Sequence, residues 1–214
     1  MYTLHDYLPS QNGYKVRLLL HHLGIAYRTR LVSIFEGEGQ EAPFLAMNPT
    51  GAVPVLELED GRTLAESNAI LAFLAEGTPY LPSDPWSRAQ VHRWMYFEED
   101  YIQNGLATLR HWTLTGKIAR RDPALVDAKR ATSLKSLAIL DRWLAGRTFI
   151  ATESYGIADI SLYAYVSRSG EAGIALDGHA AVAAWVARVR AQPGFLDEVH
   201  AYSIDPASTR DLPG

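Results

Sequence analysis

The chain has 214 residues, 48% of them apolar and 21% charged, which supports one or two domains with buried cores. A net charge of −4 without a basic stripe argues against nucleic acid as a partner, and the absence of cysteine excludes disulfides, cysteine-based zinc sites and a protein thiol nucleophile. No apolar run approaches a membrane span and no basic-then-apolar leader opens the chain, so a cytoplasmic protein without a metal or membrane partner is expected.

Tyr2 to Tyr7 alternates and is rich in aromatic and β-branched residues, which predicts a strand. Leu8 to Gly13 reads as a loop from its turn residues. From Tyr14 to Leu23, Val16, Leu19, Leu20 and Leu23 recur at helical spacing, and Gly24 ends the run. Lys15 has two readings, a charge that helps neutralise a ligand and, favoured here, an exposed residue on that helix. Tyr27 to Ile34 predicts a second strand, parallel to the first because a helix connects them. Residues 36–46 are acidic and irregular, with room for a short helix. Residues 1–77 carry 5 Lys/Arg against 9 Asp/Glu, whereas residues 78–214 carry 15 of each.

The stretch from Asn48 to Leu74 carries the most information. A Val53-Pro54 step opens a short alternating strand, Glu59-Asp60-Gly61 turns it back, and the second strand ends at Glu66-Ser67, where a helix begins. Proline donates no amide hydrogen and belongs at a strand start or edge. If the bond before it is cis, Val53 turns its backbone outward, ready to pair with an extended peptide. The first turn of the following helix offers unpaired N–H groups and a positive dipole end, which favour a carboxylate. Ser67 adds a hydroxyl donor and Glu66 a charge that holds an ammonium. Taken singly, these residues fit a plain cap and a plain turn. As an ordered set they fit a peptide-like ligand with both an ammonium and a carboxylate.

Thr78 to Pro85 holds three prolines in eight residues and reads as a linker. Beyond it the period switches to 3.6. One long helix is predicted from Ser87 to Thr113, with Trp94, Tyr96, Phe97, Tyr101 and Trp112 along it. Others are predicted from Ala124 to Leu144 after Pro123, from Gly156-Ile157-Ala158-Asp159 onward, and from Ala180 to Arg190. No internal repeat or low-complexity segment interrupts this plan. The result is an α/β domain followed by an all-α bundle.

With these residues in place, the chain resembles the soluble glutathione transferases over about residues 1–200. The likeness rests on Asn48-Pro49-Thr50-Gly51 with Val53-Pro54, on Glu66-Ser67, and on the Gly156–Asp159 helix start. Trp94-Met95-Tyr96-Phe97-Glu98, followed by Arg110 and Trp112, is similar to a group of bacterial members. The resemblance implies a thioredoxin-like glutathione-binding domain (residues 1–77), a linker (78–85) and an all-α helical-bundle domain with the second-substrate site (86–205). It also implies glutathione as co-substrate and a homodimer. Val53, next to Pro54, is expected to pair with the cysteinyl backbone of glutathione, and Glu66 and Ser67 to bind its γ-glutamyl end. The family prefers Ser or Thr at the Gly156 position, so the capping box there is half-built.

The family activates glutathione with Tyr, Ser or Cys near the first strand, and cysteine is absent here. Ser10 follows the strand and precedes the helix, as in the Ser-type members. Ser10 to Val16 is also similar to the nu-class and yeast nitrogen-regulator-like group, in which a residue matching Asn12 approaches the sulfur and some members act on glutathione disulfide. Ser10 and Asn12 are therefore the catalytic candidates, with Tyr7 as a competing donor. A thiol of pKa ~8.5 is only about 3% ionised at pH 7. Lowering that value by about two units needs ~2.7 kcal/mol, and one hydrogen bond to a charged group supplies roughly 1.5–3 kcal/mol. Tyr7, Tyr96, Tyr101, Arg110 and Trp112 are candidates for the wall of an apolar electrophile site between the Tyr7–Ser10 loop and the long helix, although aromatics at helical spacing also make bundle core. Three functions stay open: conjugation of glutathione to an electrophile, glutathione-dependent disulfide reduction with two bound glutathiones, and a non-catalytic glutathione-binding or interaction module.

Overall fold

A computed structural model describes residues 1–202. Residues 203–205, the end of the expected second domain, lie outside the described residues. The chain forms two compact units. One is Met1–Leu74 with the described residues from Gly194 onward, and the other is Ala75–Pro193.

The first unit runs β1 (Tyr2–Asp6), α1 (Gln11–His22), β2 (Tyr27–Leu31), α2 (Ala42–Met47), β3 (Val55–Glu57), β4 (Thr63–Ala65) and α3 (Ser67–Ala75), with two 3₁₀ turns between β2 and α2. The sheet order is β2-β1-β3-β4. β1 pairs parallel with β2, as the intervening helix requires, and antiparallel with β3, which forms a hairpin with β4. Leu4, Val55 and Leu56 from the sheet and Val16, Leu18, Leu19, Leu20, Ile70 and Leu71 from the helices are fully buried. A neighbouring cluster of Val32, Phe44 and Val55 receives Ile34, Met47, Val53 and Ala65.

α1 begins at Gln11, earlier than the apolar spacing predicts, because its first turn is held by caps and not by apolar side chains. Ser10 has extended backbone angles and its Oγ accepts from the Gly13 N–H at 3.4 Å. A Cβ added to Gly13 would lie 1.9 Å from an Asp6 carboxyl oxygen, so only glycine lets the helix start this close to the end of β1.

Asp6 is completely buried. Burial pushes its carboxyl up, and the Arg17 guanidinium beside it opposes that rise. Arg17, also buried, donates to Asp6, to Glu198 and, at 2.8 Å, to the Leu8 carbonyl. Residues 194–202, read from sequence as part of the helical half, therefore pack on α1. Tyr14 also donates to the Leu196 carbonyl at 2.7 Å, and His21 Nδ1 lies 2.8 Å from the Gly194 carbonyl.

The second unit is helical: α4 (Pro85–Phe97), a π-helical stretch (Glu98–Ala107), α5 (Thr108–Leu114), α6 (Pro123–Leu144), α7 (Ile157–Val166) and α8 (Ala180–Arg190). The single helix expected over 87–113 is thus three segments. At the end of the π-helical stretch the Thr108 N–H reaches back five residues to the Gln103 carbonyl, which also accepts from Thr108 Oγ1 at 3.0 Å. Every residue of α7 is buried, which makes it the centre of this unit. The residues expected as a linker belong to this unit by their contacts. The Tyr80 carbonyl accepts from the Ile157 N–H at 3.0 Å, Leu81 is buried, and Asp84 caps α4 by accepting from Ser87 N at 2.9 Å. No helix among the described residues is long and apolar enough to cross a membrane.

The glycine at the start of α7 has a steric reason. A Cβ at Gly156 would stand 2.7 Å from the Tyr80 carbonyl oxygen, so the serine or threonine of the family has no room. Only the carboxylate half of the capping box remains. Asp159 accepts from Gly156 N (3.1 Å), Ile150 N (2.9 Å) and Trp185 Nε1 (2.8 Å). Burial pushes its carboxyl up to about 6, although these donors favour the charged form.

Two outcomes are expected. Replacing Arg17 with leucine leaves the Asp6 carboxyl buried without its partner and should cost roughly 3–5 kcal/mol in urea unfolding; a loss under about 1 kcal/mol would contradict the assignment. Asp159 holds its proton more tightly folded than unfolded. Its contribution is thus fully present below its ordinary value of 3.8 and is lost as pH rises through about 6, a change of roughly 3 kcal/mol. The stability difference between the parent and Asp159→Asn should fall by that amount across the window, and a flat difference would rule it out.

Candidate functional site

Of the residues singled out by sequence in the first unit, Ser10 and Asn12 stand at the N-terminus of α1 and Glu66 and Ser67 at that of α3. Asn48, itself buried, shapes the entry. Its Oδ1 accepts from Thr50 N at 3.1 Å and its Nδ2 donates to the Ala52 carbonyl at 2.8 Å. The loop then passes through Val53 and a cis Val53-Pro54 bond into β3. The Val53 side chain packs on the Val32–Phe44–Val55 cluster.

Glu66 is the one non-glycine residue among those described with a left-handed backbone, φ 68°. Its carbonyl accepts from Ile70 N at 2.9 Å, so Glu66 occupies the cap of α3 and its side chain is exposed. Ser67, the first residue of α3, is buried. Its Oγ accepts from Lys15 Nζ at 3.3 Å and lies 3.5 Å from Asn12 Oδ1. The structure thus joins Asn12 and Ser67 across fifty-five positions of sequence.

Lys15 corrects the sequence reading. It is 0% exposed, not a solvent-facing helix residue. Nine of the twelve α1 residues are buried, so this helix has no broad solvent face to offer a lysine. Sequence reasoning also passed over Asp6, Arg17 and Glu198. The available signal was that Lys15 and Arg17 are the only Lys, Arg, Asp or Glu residues in α1.

Ser10 is half-buried. Because its Oγ already accepts from Gly13 N, its own proton is free to be donated. Ser10 also stands at the N-terminus of α1, the positive end of the helix dipole. The arrangement stabilises negative charge placed just beyond Ser10.

Tyr7 turns edge-on to Phe35 and Tyr202, with ring centroids 5.3 and 5.7 Å away. It lines a cavity of about 380 Å³ with Asp6, Leu8, Pro9, residues 31–36, His200 and Ala201. The lining includes Pro9, next to Ser10, but not Val53, Glu66 or Ser67.

The second-substrate candidates of the helical unit divide. Tyr96 and Tyr101 are exposed, and Tyr101 stacks on Phe97 at 4.9 Å. Arg110 and Trp112 are buried instead. Arg110 pairs with Glu171 at 2.5 Å, and Trp112 lies under the Arg121 guanidinium at 4.7 Å. Their partners within the unit draw both side chains inward. Among the described residues, no group of three or more His, Asp and Glu side chains is arranged to hold a metal ion.

The chain is similar to known proteins over most of its length. Residues 9–76 match the glutathione S-transferase N-terminal domain and residues 88–193 the C-terminal domain. The chain is 30% identical over 201 residues to the glutathione S-transferase GstB of Escherichia coli (strain K12), covering 90% of this chain and 95% of that protein. It is 25% identical over 194 residues to the disulfide-bond oxidoreductase YfcG of the same organism, covering 87% and 89%. The crystal structure of a glutathione S-transferase from Pseudomonas fluorescens Pf-5 superposes with a TM-score of 0.89 at 38% identity, covering 92% of this chain and 98% of that one. The two domain models together span most of the chain and GstB matches it over 90% of its length: the chain belongs to the glutathione S-transferase family of enzymes.

Proposed function

We propose that this enzyme binds glutathione in the first unit and uses Ser10, assisted by Asn12, to stabilise its thiolate for attack on an electrophilic, apolar small molecule. In this reading Val53 pairs with the cysteinyl backbone of the tripeptide. Glu66 takes its ammonium, and Ser67 with the first N–H groups of α3 takes its γ-glutamyl carboxylate. The observation that carries the reading is the Ser10 hydroxyl, which accepts from Gly13 N and keeps a proton to donate at the positive end of α1. The thiolate then forms the new carbon–sulfur bond as the leaving group departs with its electron pair.

The cavity beside Tyr7 and Pro9 suits the apolar part of the second substrate, since Leu8, Leu31, Val32, Ile34 and Phe35 line it. A homodimer in the cytoplasm is the setting that goes with it.

A second reading has its own support. The chain has no cysteine, Asn12 stands among the site residues, and YfcG is a relative over most of the length. Glutathione-dependent disulfide reduction needs no protein thiol: one glutathione thiolate displaces a thiol from the disulfide, and a second resolves the mixed disulfide to glutathione disulfide and a second thiol.

Ser10→Ala should lower kcat for a chromogenic aryl halide roughly 10- to 100-fold, while the glutathione Kd by calorimetry changes less than about threefold. Undiminished turnover would move the role to Asn12 or Tyr7. A parent enzyme that reduces a small disulfide and leaves the aryl halide untouched would select the reductase reading.

A further inference from the structure

We propose that Lys15 is a positioning residue for the γ-glutamyl carboxylate of glutathione, acting through Ser67; the assignment rests on the glutathione reading above. Lys15 sits in the second turn of α1 and Ser67 opens α3, so their contact links the two helices whose N-termini form the site. A lysine Nζ only donates. Its bond to Ser67 Oγ at 3.3 Å makes that oxygen an acceptor and leaves the serine one proton to give. Asn12 Oδ1, at 3.5 Å, is a long partner for that proton. A carboxylate oxygen is a stronger acceptor and takes it at shorter range.

Lys15 itself is 0% exposed and Ser67 4%. The lysine therefore does not touch the ligand. It fixes the direction of a hydroxyl that does. A lysine that merely packed α1 against α3 would affect every ligand alike. One that orients Ser67 affects only ligands with a group for Ser67 to bind.

Two ligands separate these cases: glutathione, and the analogue in which 4-aminobutyrate replaces the γ-glutamyl group, which keeps the ammonium and lacks the carboxylate. Calorimetry would be run on the parent chain, Lys15→Met, Ser67→Ala and the double variant, with circular dichroism confirming the fold. Lys15→Met should raise the glutathione Kd about tenfold, leave the analogue's Kd unchanged, and add nothing to Ser67→Ala. Equal losses for both ligands, or additive losses in the double variant, would overturn the assignment. If Lys15→Met does not fold, Lys15→Arg takes its place: it keeps a donor but changes its reach, so a shift confined to glutathione supports the role and an equal shift for both ligands overturns it. A parent chain that binds neither ligand overturns the glutathione reading itself, and the Lys15 assignment with it. A parent that binds glutathione while both ligands weaken equally in the variant overturns Lys15 alone.

Discussion

A buried carboxylate at the end of β1 sets the terms for the rest of the first unit. Asp6 has no solvent to satisfy it, and an isolated charge there would be costly. Arg17 meets it from α1, and the same guanidinium takes the Leu8 carbonyl. Those contacts fix the route of residues 7–9 and deliver Ser10 to the cap of α1. Gly13 follows from the same constraint, since the Asp6 carboxyl occupies the space a side chain would need. Glu198 brings the segment after Gly194 onto the same arginine from 181 positions away, so one cation ties the end of β1, the loop after it and that distant segment together.

The polar groups of the site share one device. Each hydroxyl that faces the ligand in the proposed function already accepts a hydrogen bond from below: Ser10 from Gly13 N and Ser67 from Lys15 Nζ. In that reading, a hydroxyl with one lone pair already engaged has fewer donor directions left to lose when the ligand arrives. Both serines also stand at helix N-termini, where peptide dipoles add to the same field. The left-handed backbone at Glu66 turns the chain from β4 into α3 and leaves that carboxylate outside the helix, exposed. The helical unit depends on a comparable hub. Asp159 gathers N–H donors from the α7 start, from Ile150 and from Trp185 of α8, and so ties the central helix to its neighbours.

Much of this was legible in the sequence because it is local. Helical spacing and the Asp60-Gly61 turn follow from backbone preferences of adjacent residues. The strand, turn and helix start of the Asn48–Ser67 segment could be read because their signals occur in order within twenty residues. The aromatic helix was harder. Periodicity places Tyr96, Tyr101, Arg110 and Trp112 along one stretch but does not say what each faces. Arg110 and Trp112 find Glu171 and Arg121, whereas Tyr96 and Tyr101 stay exposed. The π-helical stretch that rephases these side chains leaves no mark in the apolar pattern.

The order of elements, the two-part architecture, the cysteine-free chemistry and the candidate residues around Ser10, Val53 and Ser67 were determined by sequence alone, since each depends on neighbours a few positions away. Tertiary structure decided the rest: the burial of Lys15 against Ser67, the closure of Asp6, Arg17 and Glu198 into one network, and the return of residues 194–202 to α1. The physical reason is that a charged side chain reads as solvent-facing until its partner is known, and here the decisive partners lie fifty-two and one hundred and eighty-one positions away.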